Sequence, residues 1–159
     1  MKTNKLTVTA LAAATVAVVT FFLKVPLPAS EGYFNLGEVV IYLVAFLFGG
    51  PAAAIAGGIG AALADLLAGY AFYAPVSLVV KGLEGWVVGS LASRGKLRAT
   101  AVGALILMLG YGIAAFVLTG EAAAVLWEMG IDLLQAGAGA AIAIPLSRAL
   151  EPYVRSNFK

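Results

Sequence analysis

The sequence predicts an all-α integral membrane protein with six transmembrane helices and both termini in the cytoplasm. Of the 159 residues, 62% are hydrophobic and 11% are charged, and the mean hydropathy is +1.01. Soluble domains carry about 25% charged residues, so a soluble fold of this size would lack the charges that its surface needs. The basic residues also recur at three places that a six-helix topology brings to one side. We therefore expect a single membrane domain over residues 1–159.

Six largely uncharged segments account for the predicted helices. Leu6–Leu23 follows two lysines, and about 20 apolar residues cross the roughly 30 Å hydrocarbon layer. Pro51 suits the first turn of the third helix, because its missing N–H costs nothing there. The second segment is the weakest, since it reaches only about 20 Å. The predicted spans are residues 6–23, 36–49, 51–68, 76–92, 99–118 and 122–150.

The basic residues orient these helices. Lys2 and Lys5 stand at the N-terminus, Arg94–Arg98 joins the fourth and fifth helices, and Arg155 lies in the tail. Short loops rich in lysine and arginine remain in the cytoplasm. We therefore expect a multi-pass protein of the cell membrane, with a lipid bilayer and not nucleic acid as the partner of its basic residues.

The composition excludes several classes of function. The chain has no cysteine and no histidine, which removes thiolate metal clusters and the commonest general base. It contains no GxxxxGK[ST] phosphate loop, so ATP would have to be hydrolysed by a partner. We predict no catalytic residue, no metal site and no cofactor in this chain.

Six ionisable side chains lie inside the predicted helices, all in the outward-facing half. They are Glu38, Asp65, Lys81, Glu84, Glu128 and Asp132. At mid-depth in lipid each would cost roughly 2.5–3.5 kcal/mol on insertion scales. We therefore expect them to face one another or an aqueous pocket.

Helical spacing brings these side chains onto common faces. Lys81 and Glu84 are three residues apart, and a second stripe holds Glu128, Asp132 and Gln135. In one interpretation, Lys81 pairs with Glu84 and the other acids rim the outer mouth. The alternative is a pocket, because one lysine cannot neutralise five acids. Such a pocket suits a ligand with amino, hydroxyl or protonated ring-nitrogen donors.

Aromatic side chains bracket the same outward zone. Tyr33, Tyr73 and Trp127 each lie near one of the acids. They would either form an interfacial belt or stack on a flat heterocycle. The predicted cytoplasmic side is poor in Trp and Tyr apart from Tyr153, which favours the heterocycle.

Small residues repeat at every fourth position on the first helix. The two sets are Ala10 with Ala14 and Ala13 with Ala17. Such faces allow helices to approach closely in lipid. The pattern by itself indicates packing within the monomer.

A series of motifs in Asn35–Leu91 resembles a known family. The second helix begins with Asn-Leu-Gly-Glu, a Phe-Gly-Gly-Pro turn follows, and the glycine-rich third helix ends in Ala-Asp-Leu. A Tyr-Ala-Pro loop and a Lys-Gly-Leu-Glu-Gly helix complete the series. In order and spacing these motifs are similar to the S components of energy-coupling factor (ECF) vitamin transporters, in the subgroup of riboflavin, hydroxymethylpyrimidine and pyridoxine uptake. Glu38 departs from the aspartate that is more usual there.

The resemblance implies a substrate-binding subunit of an ATP-driven importer in a prokaryotic cell membrane. The substrate would be a vitamin or precursor, with a hydroxymethylpyrimidine, pyridoxine or thiamine-like heterocycle as the best candidate and riboflavin as a further one. It would bind near the outer face, at the aromatic and ionisable residues named above together with Asn35. The loop Pro28–Asn35 would act as a lid.

The resemblance also implies partners. Such proteins dock on a transmembrane T subunit that is driven by two cytoplasmic ATPases, and the alanine-rich first helix is the usual docking face. That role would fall to Ala10 and Ala14, and with them Ala13 and Ala17.

Two alternatives remain open from the sequence. One is a self-sufficient carrier, proton-coupled through Asp65 or Glu84, which would transport without ATPases. The other is an intramembrane enzyme that uses Glu128 and Asp132, with a metal ion that a chelator would remove.

Overall fold

The described part of the chain folds into one bundle of helices. A computed structural model describes residues 2–26 and 33–158, with side chains over 5–25 and 33–156. Most of the expected lid, Pro28–Gly32, lies outside the described residues. Two short strands pair antiparallel, β1 (Val25–Pro26) and β2 (Tyr33–Phe34). The described α-helices are α1 (Lys2–Phe22), α2 (Gly37–Phe48), α3 (Gly50–Ala68), α4 (Tyr73–Leu91), α5 (Lys96–Thr119) and α6 (Ala122–Phe158), with a 3₁₀ turn at Ala92–Arg94.

Five of the six described helices are long and apolar enough to cross a membrane, and α2 is the exception. At 12 residues, α2 is about 18 Å long. It is also the innermost helix, since it packs on α6 and contacts α1, α3 and α4. Ile41 and Tyr42 are fully buried at its centre. The short second helix thus lies inside the bundle, where its ends need not reach both membrane surfaces.

The sixth helix is longer than the sequence predicted. Its predicted end was Leu150, but it continues through Pro152 to Phe158. Proline removes one helical hydrogen bond, and contacts beyond it support the extra turns. Glu151 pairs with Arg155 one turn later at 2.7 Å and with Lys96 of α5 at 3.6 Å.

Helices that follow one another in the order α1, α3, α4, α5, α6 are in contact, and α2 packs inside them against α6, α3, α4 and α1. Glycines allow α3 and α4 to approach closely. A Cβ at Gly58 would lie 2.7 Å from the carbonyl oxygen of Leu78, and one at Gly89 would lie 2.3 Å from the nitrogen of Gly50. The α3–α4 pair therefore forms a rigid wall of the bundle.

The two ends of the bundle differ in chemistry. One end, which we call the basic end, holds Lys96 at the start of α5. Its ammonium group donates a hydrogen bond of 2.8 Å to Ser147 in the second half of α6 and lies over the ring of Phe46 at the end of α2. At the opposite end, which we call the cavity end, α1, α3 and α5 finish and α4 and α6 begin. The buried carboxylates lie toward the cavity end, as their sequence positions predicted.

Candidate ligand-binding site

A small cavity lies toward the cavity end, between α1, β2, α3, α4, α5 and α6. Its volume is about 30 Å³, which holds on the order of two water molecules. Carboxylates, tyrosines and one lysine dominate its surface. The lining residues are Thr20, Tyr33, Asn35, Ala61, Asp65, Tyr73, Ser77, Lys81, Tyr111, Glu128, Asp132 and Gln135.

Most of the residues that the sequence singled out line this cavity. They come from β2 and the residue after it, and from α3, α4 and α6, and the fold brings them together at one depth. They are Tyr33, Asn35, Asp65, Tyr73, Lys81, Glu128 and Asp132. The predicted convergence of side chains from distant parts of the chain is thus present in the structure.

The ion pair differs from the one considered from the sequence. Lys81 pairs with Glu38 of α2, not with Glu84 one turn further along its own helix. Both side chains are almost completely buried, and the ammonium group also lies 5.5 Å from the centre of the Tyr111 ring. Glu38 therefore lies behind the cavity lining, where it balances the charge of Lys81.

Glu84 likewise lies behind the lining. It is fully buried, and the hydroxyl of Tyr42 donates a hydrogen bond of 2.7 Å to its carboxylate. Glu84, which the sequence predicted to contact a ligand, is therefore not among the residues that line the cavity. Glu84 faces Tyr42 of α2, a contact between helices that helical spacing alone does not reveal.

Trp127 is not at the cavity. Its side chain is 46% exposed on the outer surface of α6, whereas Glu128, the next residue, is buried in the lining. Successive residues of a helix point about 100° apart. Trp127 thus lies outside the cavity lining, at a position that the interfacial-belt interpretation expects.

Five lining residues were missed as candidates: Thr20, Ala61, Ser77, Tyr111 and Gln135. Two carried a signal in the sequence. Gln135 shares the helical face of Glu128 and Asp132, and Ser77 precedes Lys81 by one turn. The hydroxyls of Ser77 and Tyr111 are 2.6 Å apart, a pairing between α4 and α5 that no local pattern predicts.

Hydrogen bonds to two helices hold β2 and the following residue, Asn35, in place. The Tyr33 hydroxyl donates to the Asp65 carboxylate of α3, and the Tyr33 ring packs on Tyr70 with 5.0 Å between centres. Burial, helped by the charge of Asp65, raises the pKa of Tyr33, so its hydroxyl keeps the proton that it donates. On the other side, Asn35 donates to Gln135 of α6.

Two lining carboxylates have an oxygen without a partner. Asp65 Oδ2 and Asp132 Oδ2 are buried and accept no hydrogen bond in the described part of the chain, and neither side chain is more than 3% exposed. A buried acceptor without a donor is costly. The cavity can therefore accept hydrogen bonds from a donor-rich molecule. Among the described residues, no three His, Cys, Asp or Glu side chains come together as a metal site.

The two alanine sets lie on different faces of α1, one exposed and one buried. Ala10 and Ala14 are exposed on the outer face of α1. Ala13 and Ala17 are at most 9% exposed and face the bundle, where the Ala13 carbonyl would lie 2.6 Å from a Cβ at Gly60. The predicted docking role of Ala13 and Ala17 is thus corrected to internal packing.

Comparison with known proteins decides the family. The family model described as "ECF-type riboflavin transporter, S component" matches residues 1–152. The chain belongs to the S components of ECF transporters. It is accordingly a multi-pass cell-membrane protein and the vitamin-type substrate-binding subunit of a transporter, not an enzyme.

Two relatives and one solved structure are similar to this S component. An uncharacterized protein of Pyrococcus woesei is 43% identical over 129 residues, 78% of this chain and 86% of that protein. The thiamine precursor transporter HmpT of Lactococcus lactis subsp. cremoris is 34% identical over 151 residues, 93% of this chain and 88% of that protein. A solved S component of a bacterial ECF transporter has a TM-score of 0.73 at 18% identity, covering 98% of this chain and 99% of that one. This last likeness concerns the fold.

We expect Lys81→Met to destabilise this S component by about 3–5 kcal/mol, because it leaves Glu38 charged, buried and unpaired. The measurement is thermal unfolding in detergent. The double variant Lys81→Met/Glu38→Gln removes both charges and should recover a large part of the loss. An unfolding temperature of the single variant equal to wild type would show that the pair does not hold Glu38 in place.

Proposed function

We propose that this S component binds hydroxymethylpyrimidine, or a closely similar aminopyrimidine, in the cavity between Tyr33, Asp65, Lys81 and Asp132. The observation that carries the proposal is the pair of unpartnered carboxylate oxygens on Asp65 and Asp132. They lie on different helices and line one cavity. Two acceptors on separate walls suit a small ring with donors on more than one side.

The chemistry of an aminopyrimidine matches the lining. Its exocyclic amino group and hydroxymethyl group supply donors for the two carboxylates. A charge-assisted hydrogen bond of this kind is roughly twice as strong as a neutral one. Lys81 can donate to a ring nitrogen, and Tyr33, Tyr73 and Tyr111 offer aromatic surface on which the flat ring can stack.

The relative in Lactococcus supports the same substrate class, since it is described as a thiamine precursor transporter. The family description names riboflavin instead, and riboflavin is therefore the second candidate. A three-ring flavin would require a far larger opening of the 30 Å³ cavity than a single ring does. Surplus carboxylates also disfavour anionic ligands.

Transport would depend on partners. The basic end, with Arg94, Lys96 and Arg98, would face the cytoplasm by the positive-inside rule, and the cavity end would face outward. The exposed alanines on α1 would contact the transmembrane T subunit, and two cytoplasmic ATPases would supply the energy. The S component would then rock in the bilayer and carry the cavity from the outer to the inner side.

We expect Asp65→Asn and Asp132→Asn each to weaken the binding of hydroxymethylpyrimidine by about tenfold to a hundredfold, because each replaces a charged acceptor in contact with the ligand. Glu84→Gln, behind the lining, should change the affinity much less. Calorimetric titration of purified protein measures this.

The matched control is Glu121→Gln, which removes an exposed carboxylate in the α5–α6 connection. Unchanged affinity in both aspartate variants would contradict the assignment of the site. Tight binding of riboflavin, visible as a yellow protein, with no response to hydroxymethylpyrimidine would select the second candidate.

We expect Ala14→Leu to abolish co-purification with the T subunit and ATP-driven uptake while leaving ligand binding intact. The larger side chain would prevent close approach at the exposed face of α1. Ala101→Leu, at an exposed position of α5, is the control. Uptake into proteoliposomes by the S component alone would contradict the need for partners and favour a self-sufficient carrier.

A further inference from the structure

The sixth helix is much longer than α5, the helix that precedes it and packs against it. α5 has 24 residues and α6 has 37, so their lengths are about 36 Å and about 55 Å. Gly120 and Glu121 join them at the cavity end, and Lys96, the first residue of α5, donates to Ser147 of α6. The excess length of α6 therefore lies at the basic end. Because the hydrocarbon layer is roughly 30 Å thick, the residues after Ser147 project to the depth of the lipid headgroups.

A shallow groove runs along one face of this projecting segment. It is lined by Arg148, Glu151, Pro152, Arg155 and Ser156. Arg148 and Arg155 are two helical turns apart and so share a face, and both side chains are exposed. Glu151, the one carboxylate in the lining, is paired with Arg155 at 2.7 Å and with Lys96 of α5 at 3.6 Å. The groove therefore has an excess of positive charge.

The rest of the basic end carries charge of the same sign. Arg94 and Arg98 flank the start of α5, and both are exposed. Within the described part of the chain, Arg94, Arg98 and Arg148 form no ion pair. Apart from the buried carboxylates, Glu151 is the one acidic residue described at this end. A surface with this much unneutralised positive charge attracts anions.

The bilayer itself offers a matching anionic surface at this depth. Anionic lipids give the cytoplasmic face of a membrane a negative potential that attracts basic segments next to a transmembrane helix. Arginine binds phosphate through two parallel hydrogen bonds. The helix proposed to contact the T subunit is a different one, since α1 packs mainly on α3 and α2, and α6 mainly on α5 and α2. Docking through α1 therefore need not cover the groove.

We propose that the groove between Arg148 and Arg155 binds the phosphate of an anionic phospholipid such as phosphatidylglycerol, and that this contact anchors the end of α6 to the cytoplasmic leaflet. The two arginines are about 10 Å apart along the helix, a separation that two extended arginine side chains can span. Lys96 offsets the charge of Glu151 between them. This inference goes beyond the proposed function, because it concerns the opposite end of the bundle and does not depend on the transported ligand.

Titration of phosphatidylglycerol into delipidated protein in a nonionic detergent tests the site, with the unfolding temperature as the readout. A molecule that binds the folded state raises this temperature. We expect phosphatidylglycerol to raise it and phosphatidylcholine, which has no net charge, to leave it nearly unchanged. In Arg148→Gln/Arg155→Gln the binding of phosphatidylglycerol should weaken about tenfold or more, because each change removes charge-assisted hydrogen bonds. Equal binding by wild type and this variant would overturn the proposal.

Arg94→Gln/Arg98→Gln is the matched control, since it removes two exposed positive charges from the same end but outside the groove. It should weaken the binding of phosphatidylglycerol much less. Equal weakening in the two double variants would overturn the groove as a site, because the overall charge alone would then explain binding. Native mass spectrometry, which counts the phosphatidylglycerol molecules that each variant retains, measures the same difference without relying on stability.

Two further measurements distinguish a lipid from other occupants. Inorganic phosphate at the same concentration should raise the unfolding temperature much less, and a rise equal to that with phosphatidylglycerol would overturn the lipid in favour of a free anion. Arg148→Gln/Arg155→Gln should still co-purify with the T subunit and the ATPases. Loss of these subunits with undiminished lipid binding would overturn the proposal in favour of a protein contact.

Calorimetric titration with hydroxymethylpyrimidine separates this inference from the proposed function. Its affinity should be the same in wild type and in Arg148→Gln/Arg155→Gln, since the groove and the cavity lie at opposite ends of the bundle. A protein that binds phosphatidylglycerol through the arginines but not hydroxymethylpyrimidine would support the lipid site and refute the choice of ligand. The reverse result would refute the lipid site alone.

Discussion

Lys81 is paired with Glu38 at the centre of a group of buried carboxylates, and the cavity is organised around this ion pair. Among the described residues Lys81 is the one fully buried cation, and it faces more acids than it can neutralise. Charges inside a membrane-spanning bundle are tolerated only when they face the interior and find partners. The pair removes one negative charge and leaves the carboxylates of Asp65 and Asp132 with acceptor capacity at the cavity surface. The carboxylates in excess of the ion pair, and not the pair itself, therefore allow the cavity to accept hydrogen bonds from a ligand.

The packing of the helices brings Lys81 and the buried carboxylates to the same depth in the bundle. The inner helix α2 carries Glu38 and Tyr42 into the bundle, where they engage Lys81 and Glu84 of α4. Glycines on α3 and α4 bring those two helices close enough for Asp65 and Ser77 to line the same space. Because these contacts are made by backbone and short side chains, that wall is stiff.

The sequence predicts much of the fold, because hydropathy and the positions of glycine and proline act locally. It also predicts which depth the acids occupy, since depth follows from position along a helix. It does not predict which side of a neighbouring helix a residue meets. That is why the sequence places Trp127 near the acids of the pocket, offers Glu84 as a partner of Lys81, and does not distinguish the set of Ala10 and Ala14 from the set of Ala13 and Ala17. The sequence also does not predict that Thr20 and Tyr111 line the cavity, because no carboxylate lies within one helical turn of either residue.

Native mass spectrometry of the detergent-purified protein tests most directly whether surplus buried acceptors select the ligand. The predicted result is a retained small molecule with the mass of an aminopyrimidine such as hydroxymethylpyrimidine, bound one to one and lost when Asp65 and Asp132 are both changed to asparagine. Retention of a phosphorylated or carboxylated anion, or of a ligand that the double change does not affect, would contradict it.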